Sequence, residues 1–153
     1  GMRAGTENVP AIVGFAKAAQ TAVASLDTTQ VQVGKLRDYL EKSVTETIGG
    51  VSVHAYGARR VPNTSSIGFS GIDGESILLH LDLKGICAST GSACATGSPE
   101  PSHVLRAMGV PDMEASSTIR FSLGRTNTQE EIDITVSALQ EITARLRAIS
   151  SIS

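Results

Sequence analysis

Ser117-Thr-Ile-Arg-Phe-Ser-Leu123 is a run in which apolar and polar side chains alternate. Successive side chains of a β-strand point to opposite faces, so Ile119, Phe121 and Leu123 would share one face. Arg120 would project from the other face, where its planar guanidinium could hold a carboxylate through two parallel hydrogen bonds. An arginine on the solvated face of a strand is the alternative, and the alternation alone favours neither.

A helix is predicted directly after this strand. Thr128-x-x-Glu131 forms a capping box, in which each side chain binds the backbone amide of the other residue. Beyond it, apolar residues recur at spacings of three and four, which is the pattern of a helix with one buried face. These residues are Ile132, Val136, Leu139, Ile142, Leu146 and Ile149.

Two more helices are predicted at the start of the chain, over about 10–26 and 33–48, by the same apolar spacing. We expect the apolar stripes of both helices to be buried in a core. The hydrophobic pattern changes its period at Gly50, after the glycine pair that ends the second helix. This change predicts a domain boundary, with a helical segment over 1–49 and a second domain over 50–153.

The region between Gly50 and Ser117 mixes short strands and helices. The patterns predict strands at 51–56, 64–70 and 85–89, and helices at 73–82 and from Pro101. With the elements above, this gives about four strands and about five helices. We therefore predict an α/β chain with a small α+β domain. In that domain, helices would cover an antiparallel or mixed sheet of about three to four strands.

Composition disfavours several classes of protein. A chain of 153 residues is long enough for one ordinary domain and too short for two full ones. The net charge of −2 without a polybasic tract indicates no nucleic-acid or anionic-membrane partner. No apolar run approaches the roughly 20 residues of a membrane span, and residues 1–10 lack the features of a secretory signal. Because the two cysteines suit a reducing compartment, we expect a cytoplasmic protein.

The two cysteines lie in different settings. Cys94 is flanked by Gly91 and Gly97 in a run of small polar residues, where its sulfur could form a thiolate and reach a partner. From composition alone, a free thiol in a surface loop is the favoured interpretation of Cys94, and a sulfur nucleophile is the alternative. Cys87 lies between apolar residues on a predicted strand, and we expect it to be a small buried side chain.

The histidines favour neither a metal site nor a hydrolase. Cys87 and Cys94 are seven residues apart, wider than a zinc hairpin, and only His54, His80 and His103 could complete a site. We therefore expect no bound metal. His103 could pair with Cys94 for hydrolysis, but a histidine on a helix surface is the favoured interpretation.

Five motifs occur in an order that resembles one enzyme family. They are Arg3-Ala-Gly-Thr-Glu-Asn8, Pro62-Asn-Thr64, Asp73-Gly-Glu-Ser76, Ala88-Ser-Thr-Gly-Ser-Ala-Cys94 with Glu100-Pro-Ser-His-Val-Leu105, and Ile119-Arg-Phe-Ser-Leu-Gly-Arg125. From Gly1 to about Leu146 the chain resembles the C-terminal part of a pyridoxal-phosphate cysteine desulfurase of the NifS/IscS class. Thr90 stands where that family has the first serine of its Ser-Gly-Ser-Ala-Cys loop.

The resemblance implies a fold-type I, class-V aminotransferase, in which residues 1–49 would end the large domain and 50–153 would form the small C-terminal domain. It implies conversion of L-cysteine to L-alanine, with the sulfur held as a persulfide on Cys94 for a sulfur-acceptor or scaffold protein of iron–sulfur assembly or another sulfur-donor pathway. Arg120 would hold the substrate carboxylate. Thr6 resembles the residue that reaches the pyridoxal 5'-phosphate of the neighbouring subunit in a homodimer.

The chain departs from the family in its lysines. None of Lys17, Lys35, Lys42 and Lys84 has the Ser-x-His-Lys context of the cofactor-binding lysine. We therefore expect this chain alone to bind no pyridoxal phosphate tightly and to be inactive, since the cofactor carries the chemistry. Without the large domain, apolar helix faces would be exposed, which predicts self-association. A non-enzymatic sulfur carrier or interaction module is the alternative function.

Overall fold

The computed structural model describes residues 4–90 and 101–150. Along this part of the chain, six helices and four strands follow one another. Their order is α1 Val9–Ala24, α2 Leu26–Thr47, β1 Val51–Val53, β2 Thr64–Phe69, α3 Gly74–Leu83, β3 Ser89–Thr90, α4 His103–Ala107, α5 Asp112–Ser116, β4 Thr118–Ser122 and α6 Gln129–Ser150. The prediction of a mixed chain with a small helix-covered sheet is confirmed.

The strands form one four-stranded sheet in the order β1-β2-β4-β3, and every neighbouring pair is antiparallel. Strand β4 is therefore an interior strand, hydrogen-bonded to β2 on one side and to β3 on the other. Arg120 of β4 lies directly opposite Ser66 of β2 and Ser89 of β3. This register decides which side chains surround the arginine.

Helices α2, α3 and α6 cover one face of the sheet and enclose the core. The sheet contributes Ile67, Phe69, Ile119 and Phe121, each at most 5% exposed. The apolar stripes predicted for the second and the last helix are buried against them, which confirms both. The buried members of these stripes are Val33, Leu40, Val44, Ile48, Ile132, Val136, Leu139 and Ile142.

Three short elements differ from the sequence prediction. Strand β1 ends at Val53 and the chain turns from His54, whereas the alternation predicted a strand to Tyr56. A strand was expected at 85–89, but strand β3 is shorter and lies later in the chain: only Ser89 and Thr90 pair with the sheet. Helix α3 runs to Leu83, and the chain then turns at Gly85, whose φ of +75° is a conformation that suits glycine. Helix α5 was not predicted, because five residues are too few to display a helical period.

The prediction that the apolar stripe of the first helix is buried is wrong, since α1 contains no buried residue. Helix α1 leaves α2 at a bend of 66°, and α2 is the element that it mainly contacts among the described residues. The apolar side chains that it exposes include Val9, Ile12, Val13, Phe15 and Val23. Exposed apolar helix faces were predicted and are confirmed, whereas self-association stays a prediction.

Among the described residues, no single helix is both long enough and apolar enough to cross a membrane. The pair α1 and α2 reaches that length and composition only as a unit bent by 66°.

Side chains cap the helices where the sequence places polar residues. Asn8 caps α1, because its Oδ1 accepts a hydrogen bond from the Ala11 amide at 3.2 Å. The capping box of α6 is confirmed. The Thr128 amide donates to Glu131 Oε2 at 3.1 Å, and the Glu131 amide donates to Thr128 Oγ1 at 3.3 Å. These bonds satisfy amides that have no partner inside the helix.

Candidate functional site

Arg120 lies on the face of the sheet opposite the core, as the alternation in its strand predicts. Its neighbours Ile119 and Phe121 are 0% and 5% exposed on the core side, while Arg120 is half-buried on the other side. Within residues 4–90 and 101–150, its guanidinium has no hydrogen bond or ion pair. A planar fork of donors is thus left for a ligand such as a carboxylate.

Helix α5 covers the other half of this polar face. Thr118 shares the face with Arg120 but is fully buried, because α5 and the end of β1 close over it. Four residues meet there, and we call them the His54 cluster: Ser52, His54, Glu114 and Thr118. Ser52 Oγ donates to Glu114 Oε1 at 2.5 Å, and His54 Nε2 lies 3.0 Å from Thr118 Oγ1. The sheet face is therefore half closed and half open.

Gly68 makes the His54 cluster possible. A Cβ at this position would lie 2.8 Å from Ser52 Oγ and 3.3 Å from both Glu114 Cγ and His54 Nε2. Such distances are shorter than normal packing allows, so any larger residue would push the cluster apart. The cluster thus depends on a glycine near the end of β2.

The hydrogen bonds of the His54 cluster fix one ring proton. Thr118 Oγ1 donates its single proton to the Glu114 carbonyl at 2.7 Å, so it must accept from His54 Nε2–H. His54 Nδ1 lies 3.9 Å from Glu114 Oε1. Burial lowers the pKa of His54, and the negative charge of Glu114 opposes this effect in part. Neutral imidazole is therefore the form that the fold favours.

His54 predicts that the stability of the chain depends on pH. Because its pKa is lowered on folding, its contribution is complete above the unfolded-state pKa of about 6.5 and is lost as the pH falls through the folded-state pKa. We expect the free energy of unfolding to fall between about pH 7.5 and 5.5, and to fall less in His54→Gln, whose amide can still donate to Thr118. Urea denaturation followed by circular dichroism measures both.

His103→Gln is the matched control for this experiment. It removes a histidine that is exposed at the start of α4 and lies outside the His54 cluster. An equally steep fall in His54→Gln and in the wild type would contradict the assignment of this titration to His54.

The remaining residues singled out in the sequence are not all brought together. Thr6 is exposed in the segment before α1, and His103 is exposed on a helix surface, which is the interpretation favoured for it. Cys94 lies outside the described residues. It follows Thr90, the last residue of β3, by four positions in the sequence. The segment that carries Cys94 therefore starts beside the strand of Arg120.

The expected burial of Cys87 is wrong, because its free thiol is exposed. Ile86 and Ala88 on either side are half-buried and pack against the core. Since neighbouring side chains of an extended segment point in opposite directions, Cys87 is directed to solvent. Among the described residues, no group of three or more His, Cys, Asp or Glu side chains could hold a metal ion.

The lysines of this chain do not fit a pyridoxal-phosphate site. All four are exposed, and Lys84 Nζ donates to Glu141 Oε2 at 2.7 Å. Lys42 lines an open groove of about 970 Å³ between α2 and the segment after β1. Arg37 and Arg60 also line this groove, but all three of its cations are paired with carboxylates of the same groove. A cofactor lysine would have to come from residues other than these.

Comparisons with known proteins agree with the resemblance found in the sequence. The cysteine desulfurase of Trichormus azollae is 50% identical over 150 residues, which are 98% of this chain and 38% of that protein. The cysteine desulfurase NifS of Azotobacter vinelandii is 45% identical over 98% of this chain and 37% of its own length. The cysteine desulfurase IscS of Dictyoglomus turgidum is 45% identical over 97% of this chain and 38% of its own length.

Solved structures share the fold. A NifS-like protein from Rickettsia africae aligns with a TM-score of 0.78 at 36% identity, over 92% of this chain and 36% of that chain. A second NifS-like protein aligns with a TM-score of 0.81 over 95% of this chain and 36% of that chain. This chain thus spans less than two fifths of the length of these relatives. Residues 1–135 match the class-V aminotransferases, and the chain belongs to that family.

Proposed function

We propose that this chain is the C-terminal part of a cysteine desulfurase, which converts L-cysteine to L-alanine and passes the sulfur on. The observation that carries the proposal is the unpaired Arg120 on the open half of the polar face, beside the strand that leads to Cys94. The names of relatives with 45% to 50% identity support it. Below, "the complete enzyme" means the longer polypeptide of which we propose that this chain is a part.

Arg120 would bind the substrate through its α-carboxylate. Guanidinium and carboxylate match as two parallel charge-assisted hydrogen bonds, which fix the orientation of the amino acid as well as its position. Because β4 is an interior strand held by β2 and β3, the Cα of Arg120 has little freedom. The arginine would thus place the substrate in a reproducible way.

Cys94 would take the sulfur. Its thiolate would attack the substrate sulfur, so that a new S–S bond forms while the Cβ–S bond of the substrate breaks. The electron pair of the broken bond stays on the carbon, which takes up a proton and becomes the methyl group of alanine. Cys94 is left as a persulfide, from which a thiol-bearing sulfur acceptor or scaffold protein can accept the terminal sulfur.

The cofactor and the second domain would lie outside the described residues. Class-V cysteine desulfurases in general use pyridoxal phosphate, and the lysines of this chain do not fit its site. We infer that residues 1–49 close a large domain that supplies the cofactor lysine, and that 50–153 form the small domain. Thr6 would then reach the cofactor phosphate of the other subunit in a cytoplasmic homodimer.

An experiment on the isolated chain tests whether the cofactor lysine belongs to a domain outside this chain. Incubated with pyridoxal phosphate and L-cysteine, it should show no visible cofactor absorption band beyond that of the free cofactor and should release no alanine. The physical reason is that its four lysines are exposed, and that Lys42 and Lys84 already pair with carboxylates. The complete enzyme serves as the control and should show both signals. Steady release of alanine by the isolated chain would contradict the proposal that the cofactor lysine lies outside it.

A further inference from the structure

Arg120 has a serine on each side in the sheet, and we propose that Ser66 and Ser89 complete its carboxylate site. The hydroxyl of each serine would donate to an oxygen of the carboxylate that the guanidinium holds. This inference rests on the proposed function, because it assigns further residues to the substrate site.

The register of the sheet carries the geometry. Ser66 lies opposite Arg120 across the β2–β4 pair, and Ser89 lies opposite it across the β3–β4 pair. Residues directly opposite in antiparallel strands have Cβ atoms about 4.5 to 5.5 Å apart, with their side chains on the same face. The two hydroxyls therefore flank the base of the arginine side chain on the face that it occupies.

The hydroxyls of Ser66 and Ser89 differ from those of Ser52 and Thr118 on the same face in their hydrogen bonding. Under α5, Ser52 donates to Glu114, and Thr118 both donates and accepts within the His54 cluster. Ser66 and Ser89 are half-buried, and within the described residues neither side chain has a hydrogen-bond partner. Both hydroxyls are thus free to donate to a ligand. Two unpaired hydroxyls beside an unpaired guanidinium form a set of donors that matches an anion.

The number of donors suits a carboxylate. An ionised carboxylate has about four acceptor positions, and a bidentate guanidinium occupies about two of them. In the proposed site, one hydroxyl on each side fills the remainder. A ligand with an amine but no carboxylate offers nothing to these donors. The site should therefore select amino acids against the corresponding amines.

The test is a binding experiment on this chain that needs no cofactor. L-alanine, the proposed product, is titrated into isotope-labelled protein, and the Nε–H signal of Arg120 and the amides of Ser66 and Ser89 are followed by NMR. We expect saturable shifts with L-alanine and none with ethylamine. Ser66→Ala and Ser89→Ala should each raise the Kd by about 10-fold, as expected for the loss of one hydrogen bond to a charged group.

Two variants serve as controls. Ser122 is exposed two residues along β4, on the same face as Arg120 but not beside it, and Ser122→Ala should keep the Kd of the wild type. Arg120→Gln should abolish binding. The spectrum of each variant shows whether it is folded.

The outcomes separate this inference from the proposed function. Binding that needs Arg120 but is unchanged in Ser66→Ala and Ser89→Ala would overturn the inference and leave the role of Arg120 intact. The absence of any shift with L-alanine in the wild type would overturn both the serine donors and the carboxylate role of Arg120. A 10-fold loss in both serine variants, with normal binding in Ser122→Ala, supports the inference.

Discussion

Arg120→Ala is expected to lower kcat/KM for L-cysteine by about 100- to 1,000-fold in the complete enzyme, because it removes the guanidinium that would bind the substrate carboxylate. The guanidinium has no partner among the described residues, so its loss breaks no interaction of the fold there. Arg120→Lys should recover part of the activity, since an ammonium keeps the charge but cannot form two parallel hydrogen bonds. Steady-state kinetics of alanine release measure all of these values.

The matched control for Arg120 is Arg125, an exposed arginine shortly after β4. Arg125→Ala should keep kcat/KM near that of the wild type. Thermal unfolding of each variant shows whether an effect on activity reflects a loss of structure. If Arg120→Ala retained kcat/KM within about 3-fold of the wild type, the carboxylate would have to be held by another residue.

Arg60→Ala is expected to lower the free energy of unfolding by about 3 to 5 kcal/mol. The Glu41 side chain is only 2% exposed, and Arg60 donates to its two oxygens at 2.8 and 2.6 Å. Removal of the arginine leaves a buried carboxylate without its partner, and the cost of that desolvation is no longer offset. Urea denaturation followed by circular dichroism at neutral pH measures the change.

Two further variants make this stability prediction specific. Arg59→Ala removes an exposed neighbouring arginine and should change the free energy of unfolding by less than about 0.5 kcal/mol. The double variant Glu41→Leu with Arg60→Met replaces the ion pair by apolar groups and should recover most of the loss. A change below about 1 kcal/mol in Arg60→Ala would contradict the assigned burial of Glu41.

The elements that the sequence predicted well are those whose signals are local. The alternation from Ser117 to Leu123 and the capping box at Thr128 each depend on a few neighbouring residues, and both are confirmed. The stripe of α2 is equally periodic and is buried. Periodicity states only that a helix has an apolar face, however, and it cannot state whether the same chain covers that face. Helix α1 has this periodic pattern, but none of its residues is buried.

The parts of the site that the sequence did not reveal depend on contacts between distant residues. Ser52 and Glu114 are 62 positions apart and meet only because Gly68 leaves room between them. The serines beside Arg120 are set by the register of the sheet, and alternation along one strand says nothing about its partners. Cys87 was misjudged because an apolar neighbourhood in sequence does not fix the direction of a side chain.

The central claim is that Cys94 receives the sulfur of L-cysteine, and a mass spectrum of the modified peptides tests it most directly. The complete enzyme is incubated with L-cysteine without reductant, its remaining thiols are alkylated, and the peptides that contain Cys94 and Cys87 are analysed. We predict one added sulfur atom on Cys94, its loss in Cys94→Ser, and no added sulfur on Cys87, which is exposed and therefore a fair internal control. Added sulfur on Cys87 that persists in Cys94→Ser would contradict the claim.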